Sequence, residues 1–159
     1  MAWNHVQDGG RRWADGVAEV RRTHPNWAAH AEAYLEHFPA SLGEVPGTTQ
    51  IVRELHAHGV PLIGLTNWSD ELYPHAPAMF AFLDLLDGVV VSGTEGVAKP
   101  DPGAFAIVRD RAGLPYDELV FVDDRADNVA AAVALGMHGI VFTDADSLRS
   151  ALVARGLPL

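Results

Sequence analysis

The chain has 159 residues, 48% of them hydrophobic, and carries a formal net charge of −10 at pH 7 with no cysteine. This composition fits one folded domain, or one domain with a small insertion, and excludes a disordered chain, disulfide bonds and thiolate metal sites. The negative charge disfavours a nucleic acid as partner, because the field of the protein repels a phosphate backbone.

The N-terminal residues lack the basic region and the apolar region of a secretory signal. No uninterrupted run of about 18 apolar residues follows anywhere in the sequence. We therefore expect a cytoplasmic protein without a membrane partner.

The first part of the chain has an alanine-rich, helical pattern up to about Phe38. Trp13, Val17 and Val20 recur at helical spacing, and no strand pattern is visible there. Residues 39–46 are typical of a hinge. We therefore predict that residues 1–44 form a helical segment and residues 45–159 a separate unit.

From Gly47 onward, helical and strand patterns alternate. The sequence predicts strands over 60–66, 89–92, 119–123 and 139–142, and helices over 48–58, 102–112, 126–135 and 144–155, with short helical turns through Phe82. Continuous apolar strands separated by helices are typical of a parallel sheet covered on both faces. The predicted fold class is therefore α/β, with a Rossmann-like parallel sheet.

Polar residues follow three of these strands. Thr66 and Asn67 end the first strand, Lys99 follows the second, and Asp123 and Asp124 end the third. Ligands of open parallel sheets bind beyond the carboxyl ends of the strands, so we expect these side chains to meet at one edge. Lys99 is also the only lysine in the sequence.

This set of side chains suits phosphoryl transfer. Two adjacent carboxylates can hold Mg²⁺, the hydroxyl of Thr66 can bind phosphoryl oxygens, and Lys99 supplies a compact positive charge. Each residue also has a plainer interpretation: Thr66 as a turn residue, Lys99 as solvated surface, and the Asp123–Asp124 pair as a helix cap. The three plain interpretations together are the weaker account, because they leave the shared position at strand ends unexplained.

Three segments of the sequence resemble motifs II, III and IV of the haloacid dehalogenase superfamily. They are Leu-Thr-Asn at 65–67, Ala-Lys-Pro-Asp-Pro at 98–102 and Phe-Val-Asp-Asp-Arg-Ala-Asp-Asn at 121–128, in the family's order and at similar intervals. The resemblance covers essentially the whole chain and is greatest to sugar-phosphate phosphatases and to the phosphatase domain fused to epoxide hydrolases. It implies that residues 45–159 form the α/β core of such a hydrolase, lacking its first strand. Residues 1–44 would be the remnant of a helical cap.

The resemblance also implies a role for each matched residue. Thr66 would bind the phosphoryl group, Asn67 would position that group or the substrate, and Lys99 would stabilise the nucleophile and the charge of the transition state. Asp124 would ligate Mg²⁺ directly, with Asp123 assisting through water. The substrate would be a small phosphorylated metabolite, hydrolysed through an aspartyl-phosphate.

Two further residues of the third motif, Asp127 and Asn128, open the helix after it. We expect them either to support the metal site from behind or to cap the helix, and the sequence leaves both roles open. Trp68, directly after Asn67, is expected to be a packing aromatic, with a pocket-lining role as the alternative.

The sequence departs from the family in its first motif, a strand that ends in Asp-x-Asp and supplies the nucleophile. Asp8 and Asp15 lie in helical context, so neither is a candidate, and Met1 resembles an internal methionine used as a start. We therefore expect the chain by itself to be inactive and marginally stable. The strands on either side of the missing one would keep unpaired backbone groups, which would favour self-association.

Three other functions compete with a phosphatase. A 2-haloacid dehalogenase needs no metal and would not be expected to keep the Asp123–Asp124 pair. A response-regulator receiver domain places its acidic pair before the threonine and lysine, which is the reverse of the order here. A non-catalytic pseudo-hydrolase or binding module would keep these motifs without a nucleophile.

Overall fold

The computed structural model describes residues 6–159, and at Pro39 it describes the main chain alone. The helices are α1 (Trp13–Thr23), α2 (Ala28–His37), α3 (Thr48–Ala57), α4 (Ala76–Met79), α5 (Ser92–Glu95), α6 (Pro102–Ala112), α7 (Ala126–Ala134) and α8 (Ala145–Val153). The strands are β1 (Ile63–Thr66), β2 (Gly88–Val91), β3 (Val120–Asp123) and β4 (His138–Val141). Short 3₁₀ turns lie at Pro25–Trp27, Phe38–Ser41, Tyr73–His75, Ala81–Leu85 and Tyr116–Glu118. None of the helices in the described residues is long and apolar enough to cross a bilayer.

The N-terminal part of the described chain is helical, as predicted. Trp13 and Val17 of α1 are buried, and the ring of Trp13 lies 5.5 Å from the ring of Tyr34 on α2. Tyr34 in turn contacts Phe38, with 5.4 Å between the ring centroids. The first five residues of the predicted 1–44 segment lie outside the described residues, and its boundary with 45–159 stays a prediction.

The remaining chain confirms the α/β class and the parallel pairing of strands. β1 and β3 begin later than predicted, at Ile63 and Val120. β2 and β4 begin one residue earlier than predicted, at Gly88 and His138. Ser92, predicted as the last residue of the second strand, instead begins α5.

The strands form two separate parallel sheets. β1 pairs with β2, with Ile63 opposite Gly88, and β3 pairs with β4, with Val120 opposite His138. No ladder joins β1 to β3 among the described residues. The single sheet that the sequence predicts is therefore divided between these two strands.

Helices cover both faces of the sheet layer, in agreement with the predicted fold class. On one face, Ile51 and Leu55 of α3 pack with Leu148 and Leu152 of α8 and with Ile140 of β4. On the opposite face a second cluster forms around Phe105 of α6 and Ala132 of α7, together with Met137. Val120 and Val122 of β3 pack against the first cluster, whereas Phe121 of β3 and Leu65 of β1 pack against the second. This shared packing holds the carboxyl ends of the two sheets near each other.

Candidate functional site

Lys99 links the two sheets at the carboxyl ends of β1 and β3. Its Nζ donates to the main-chain oxygen of Leu65 at 2.7 Å and to Oδ2 of Asp123 at 2.7 Å. The side chains of Lys99 and Asp123 are only 10% and 6% exposed, so the ion pair is largely desolvated. A lysine ammonium has three N–H donors, and no described oxygen accepts from the third. Nζ also lies 5.7 Å from the centroid of the Phe121 ring.

Asn67 fixes the main chain of Lys99 from the loop after β1. Its Nδ2 donates to the Lys99 carbonyl at 2.8 Å, and its Oδ1 accepts from the Lys99 N–H at 2.8 Å. The next peptide bond, Lys99–Pro100, is cis. Asn67 therefore holds the segment that carries the ammonium.

Asp123 uses both of its carboxylate oxygens inside the protein. Oδ2 accepts from Lys99, while Oδ1 accepts from the N–H of Arg125 at 2.9 Å and from Nδ2 of Asn128 at 3.0 Å. Burial acts to raise the pKa of Asp123, but the hydrogen bonds from Lys99, Arg125 and Asn128 outweigh it and lower that pKa. Asp123 is therefore a buried, charged carboxylate at neutral pH.

Two predicted site residues lie beside this network with free polar groups. Thr66 is the last residue of β1 and lines a cavity of about 390 Å³, and its hydroxyl makes no hydrogen bond within the described part of the chain. Asp124 follows β3 and is exposed, and its carboxylate accepts no hydrogen bond from residues 6–159. Both groups are free to meet a ligand.

The two residues that open α7 have different surroundings. Asn128 is 2% exposed and contacts Asp123, so it supports the ion pair from behind. Asp127 is exposed and accepts two hydrogen bonds from Arg125, at 3.1 and 2.6 Å. The hydrogen bond from Arg125 lowers the pKa of Asp127, and this pair faces solvent.

A further anchor, formed by Ser92 and Gly93, was not predicted from the sequence. Ser92 Oγ accepts from the N–H of Trp68 at 2.9 Å, and the N–H of Gly93 donates to the Trp68 carbonyl at 2.9 Å. A Cβ at Gly93 would lie 2.4 Å from the nitrogen of Asp70, so only glycine permits this approach. The available signal in the sequence was the Ser-Gly pair at the end of the strand predicted over 89–92.

Trp68 itself lies in an aromatic contact chain and also borders the cavity at Thr66. Its ring meets those of Phe38 and Tyr73 edge-on, at 5.6 and 5.7 Å between centroids. It also lines the 390 Å³ cavity, so both interpretations of this residue describe part of its surroundings.

The residues at this edge offer Mg²⁺ one free carboxylate. Within residues 6–159, no group of three or more His, Asp or Glu side chains converges on one point. Mg²⁺ keeps several waters and binds through one or two carboxylates plus phosphate oxygens. Asp124 fits that requirement, whereas Asp123 has no oxygen left unbonded.

Two pairs of parallel strands, with a threonine, a buried lysine and an aspartate pair at their carboxyl edge, define an α/β protein with a polar site beyond its strand ends. The chain belongs to the haloacid dehalogenase-like hydrolase family, whose pattern matches residues 2–136.

Curated relatives of the chain include phosphatases. A sesquiterpene phosphatase of Aspergillus oryzae is 36% identical over 96 residues, which cover 60% of this chain and 49% of the relative. A phosphoglycolate phosphatase of Cereibacter sphaeroides is 28% identical over 135 residues, which cover 80% of this chain and 61% of the relative. The chain thus spans about half to three-fifths of the length of these two relatives.

A solved structure of similar fold is that of a wild-type haloacid dehalogenase family enzyme of Bacteroides thetaiotaomicron, in complex with magnesium and inorganic phosphate. The TM-score is 0.65 at 20% identity, and the alignment covers 87% of this chain and 73% of that one. At this identity the likeness shows the fold alone.

Proposed function

We propose that this site serves the Mg²⁺-dependent hydrolysis of a small phosphorylated metabolite through an aspartyl-phosphate. The observation that carries the proposal is the desolvated Lys99 ammonium, which uses two of its three N–H donors to bridge β1 and β3. The third donor would bind a phosphoryl oxygen, and it would act more strongly there than in water. The phosphatase relatives support this choice of substrate class.

Each residue of the site would have a distinct part in binding. The free hydroxyl of Thr66 would donate to a phosphoryl oxygen from the end of β1. Asp124 would hold Mg²⁺, which when bound neutralises phosphate oxygens so that an anionic nucleophile can approach. Asn67 and Asp123 would position Lys99, since Asn67 bonds its main chain and Asp123 Oδ2 accepts from its ammonium.

The proposed site lacks a suitable nucleophile among the described carboxylates. Asp123 is the carboxylate that touches Lys99, and its three hydrogen bonds leave it poorly suited to attack phosphorus. Asp124 is free but suits the metal. We therefore expect the 159-residue chain by itself to bind phosphate and Mg²⁺ without turnover, because no described carboxylate is both free and beside Lys99.

Isothermal titration of the chain with inorganic phosphate, with and without Mg²⁺, tests the binding half of the proposal. The expected result is Mg²⁺-dependent binding that weakens about tenfold in Thr66→Val, the equivalent of about 1.4 kcal/mol. The matched control is Thr23→Val, because Thr23 is exposed at the end of α1 and its hydroxyl contacts only Glu19 and His24 among the described residues. Absence of phosphate binding would contradict the proposal, and binding that ignores Mg²⁺ would favour a metal-independent dehalogenase.

The rate of phosphate release from p-nitrophenyl phosphate tests whether a carboxylate of this chain acts as a nucleophile. We expect the rate of the chain with Mg²⁺ to equal the rate of Thr66→Val. A rate well above that of the variant would show that a carboxylate of this chain acts as the nucleophile.

A further inference from the structure

The cavity that Thr66 lines is predominantly apolar. It has a volume of about 390 Å³, and Thr66 contributes to its wall from the carboxyl end of β1. Much of the remaining wall consists of large apolar and aromatic side chains, among them Trp68, Tyr73, Phe80, Phe82, Leu83 and Leu86. A ligand bound at Thr66 therefore meets apolar surface directly beside it.

The large side chains of this wall keep surface that a ligand can cover. Phe80, Phe82, Leu83 and Leu86 are all half-buried, although each is of a type that is usually buried in a protein core. The rings of Phe80 and Phe82 lie 6.0 Å apart between their centroids. An apolar group in the cavity would remove its own surface and theirs from water, which favours binding.

The polar groups of the wall offer little to hydroxyl groups or to a second anion. The Thr48 hydroxyl already donates to the Val45 carbonyl at 2.7 Å, and the exposed Glu44 carboxylate accepts from the Thr49 hydroxyl at 2.7 Å. None of the described residues that line the cavity is a lysine, an arginine or a histidine. A ligand carboxylate would therefore meet Glu44 without a basic partner, and most hydroxyls of a sugar would lose water without a replacement.

The volume of the cavity limits the size of the ligand group. An apolar cavity of about 150 Å³ admits one benzene ring, so a cavity of 390 Å³ admits two such rings, or about twelve carbon atoms. This volume is at the lower end of the range that is usual for small-molecule sites. The cavity thus suits the organic group of a small ester.

We propose that the substrate of this site is a phosphate monoester of an apolar alcohol, whose organic group lies in the cavity beside Thr66. The inference rests on the proposed phosphatase function and narrows its substrate from a small phosphorylated metabolite to an apolar class. Thr66 joins the two parts of such a ligand, because its hydroxyl is free among the described residues and the cavity wall includes the same residue. Sugar phosphates and phosphorylated carboxylic acids lack the apolar group that this wall recognises.

Calorimetric titration of the chain in saturating Mg²⁺ with matched phosphate esters tests this proposal. Hexyl phosphate and glucose 6-phosphate have equal numbers of carbon atoms, whereas methyl phosphate has almost no organic group. A methylene group that leaves water completely raises affinity about fourfold. At half that free energy, the added methylene groups of hexyl phosphate should raise its affinity about thirtyfold over methyl phosphate. Glucose 6-phosphate and phosphoglycolate should bind no more tightly than methyl phosphate.

Two leucines of the 3₁₀ turn at Ala81–Leu85 provide matched variants. Leu83 lines the cavity, whereas Leu85 lines neither this cavity nor a second apolar space of about 830 Å³ beside β1 and β3. Leu83→Gln should weaken the binding of hexyl phosphate about tenfold, because its amide loses water when the alkyl chain binds. Its affinity for methyl phosphate should stay unchanged, which also shows that the variant is folded. Leu85→Gln should change neither affinity by more than about twofold.

Three results would overturn this inference and leave the phosphatase function standing. The first is equal affinity for hexyl and methyl phosphate, and the second is glucose 6-phosphate binding as tightly as hexyl phosphate. The third is a gain for hexyl phosphate that persists in Leu83→Gln. The alkyl chain would then lie elsewhere, such as in the second space, which shares Leu65 and Leu86 with the cavity but not Leu83. Failure of methyl phosphate itself to bind would overturn the proposed function, and this inference with it.

Discussion

At the carboxyl edge of β1 and β3, the Lys99 ammonium donates to the Leu65 carbonyl and to Asp123, and one lysine N–H has no oxygen partner among residues 6–159. The Asp123 carboxylate also accepts from the Arg125 N–H and from the Asn128 side chain. Between the same two strands, the main-chain groups of Ile63 and Val122 have no ladder partner in the described residues. The carboxyl edge is thus held together by a few buried side chains, while the main chains of β1 and β3 behind it are not paired with each other. The geometry of the site therefore depends on the Lys99 side chain more than on hydrogen bonds between these strands.

The largest expected effect comes from removing that lysine. Lys99→Met leaves the Asp123 charge buried without its partner, which costs about 3–5 kcal/mol of the free energy of unfolding. The control is Arg21→Met, which breaks an exposed pair with Glu32 and costs under about 1 kcal/mol. Urea denaturation measures both.

The double variant Lys99→Met with Asp123→Asn keeps this prediction testable if the single variant does not fold. It should recover a large part of the loss, because no buried charge remains. A double variant less stable than Lys99→Met would show that the hydrogen bonds from Arg125 and Asn128 to the Asp123 carboxylate outweigh the loss of Lys99, and would contradict this prediction.

A smaller loss of stability is expected at Asn128, which contacts Asp123 from α7. Asn128→Ala removes a buried hydrogen bond to the Asp123 carboxylate and should cost about 2 kcal/mol. Asp127→Ala, one residue earlier on α7 and exposed, should change stability by less than about 0.5 kcal/mol. Equal effects in the two variants would assign the loss to the helix and not to the bridge.

The pH dependence of stability tests the contribution of the Asp123 carboxylate directly. The pKa of Asp123 is lowered in the folded protein, so its contribution is fully present above the unfolded pKa of about 3.9 and disappears as the pH falls through the folded value. The stability difference between the wild type and Asp123→Asn should therefore shrink between about pH 5 and pH 2. A difference that stays constant over this range would contradict the lowered pKa.

The smallest effect on stability is expected at Asp124, where ligand binding changes instead. Asp124→Asn should leave the free energy of unfolding within about 0.5 kcal/mol, because the side chain is exposed and unbonded in residues 6–159. Calorimetric titration should show that the same variant loses its Mg²⁺ affinity. Retained affinity would place the metal elsewhere.

Local pattern was sufficient to predict most of the fold. The apolar runs before Thr66 and Asp123 predicted two strands and their parallel direction, and α6 was predicted with the bounds that it has. The division into two sheets was not predicted: the family resemblance implied only unpaired backbone groups beside a missing strand. The start of β1 was misplaced because the apolar run from Val60 extends beyond the residues that pair with β2.

The site was harder to predict, because its geometry depends on residues distant in sequence. The carboxyl-edge rule correctly grouped Asn67 with Lys99 and Asp123. It could not show that both oxygens of Asp123 are bonded, since that depends on how the turn at Arg125 and the first turn of α7 are placed. The Ser92 anchor was missed because its partner is Trp68, 24 residues earlier.

Native-state hydrogen exchange of the free chain, residue by residue, tests most directly the claim that one lysine bridges two otherwise unpaired edges. The account predicts an alternation along each strand. Ile63 and Leu65 should exchange faster than Gly64 and Thr66, and Val120 and Val122 faster than Phe121 and Asp123. Uniform protection along both strands in dilute, monomeric protein would mean that the edges are already paired, and would contradict the account.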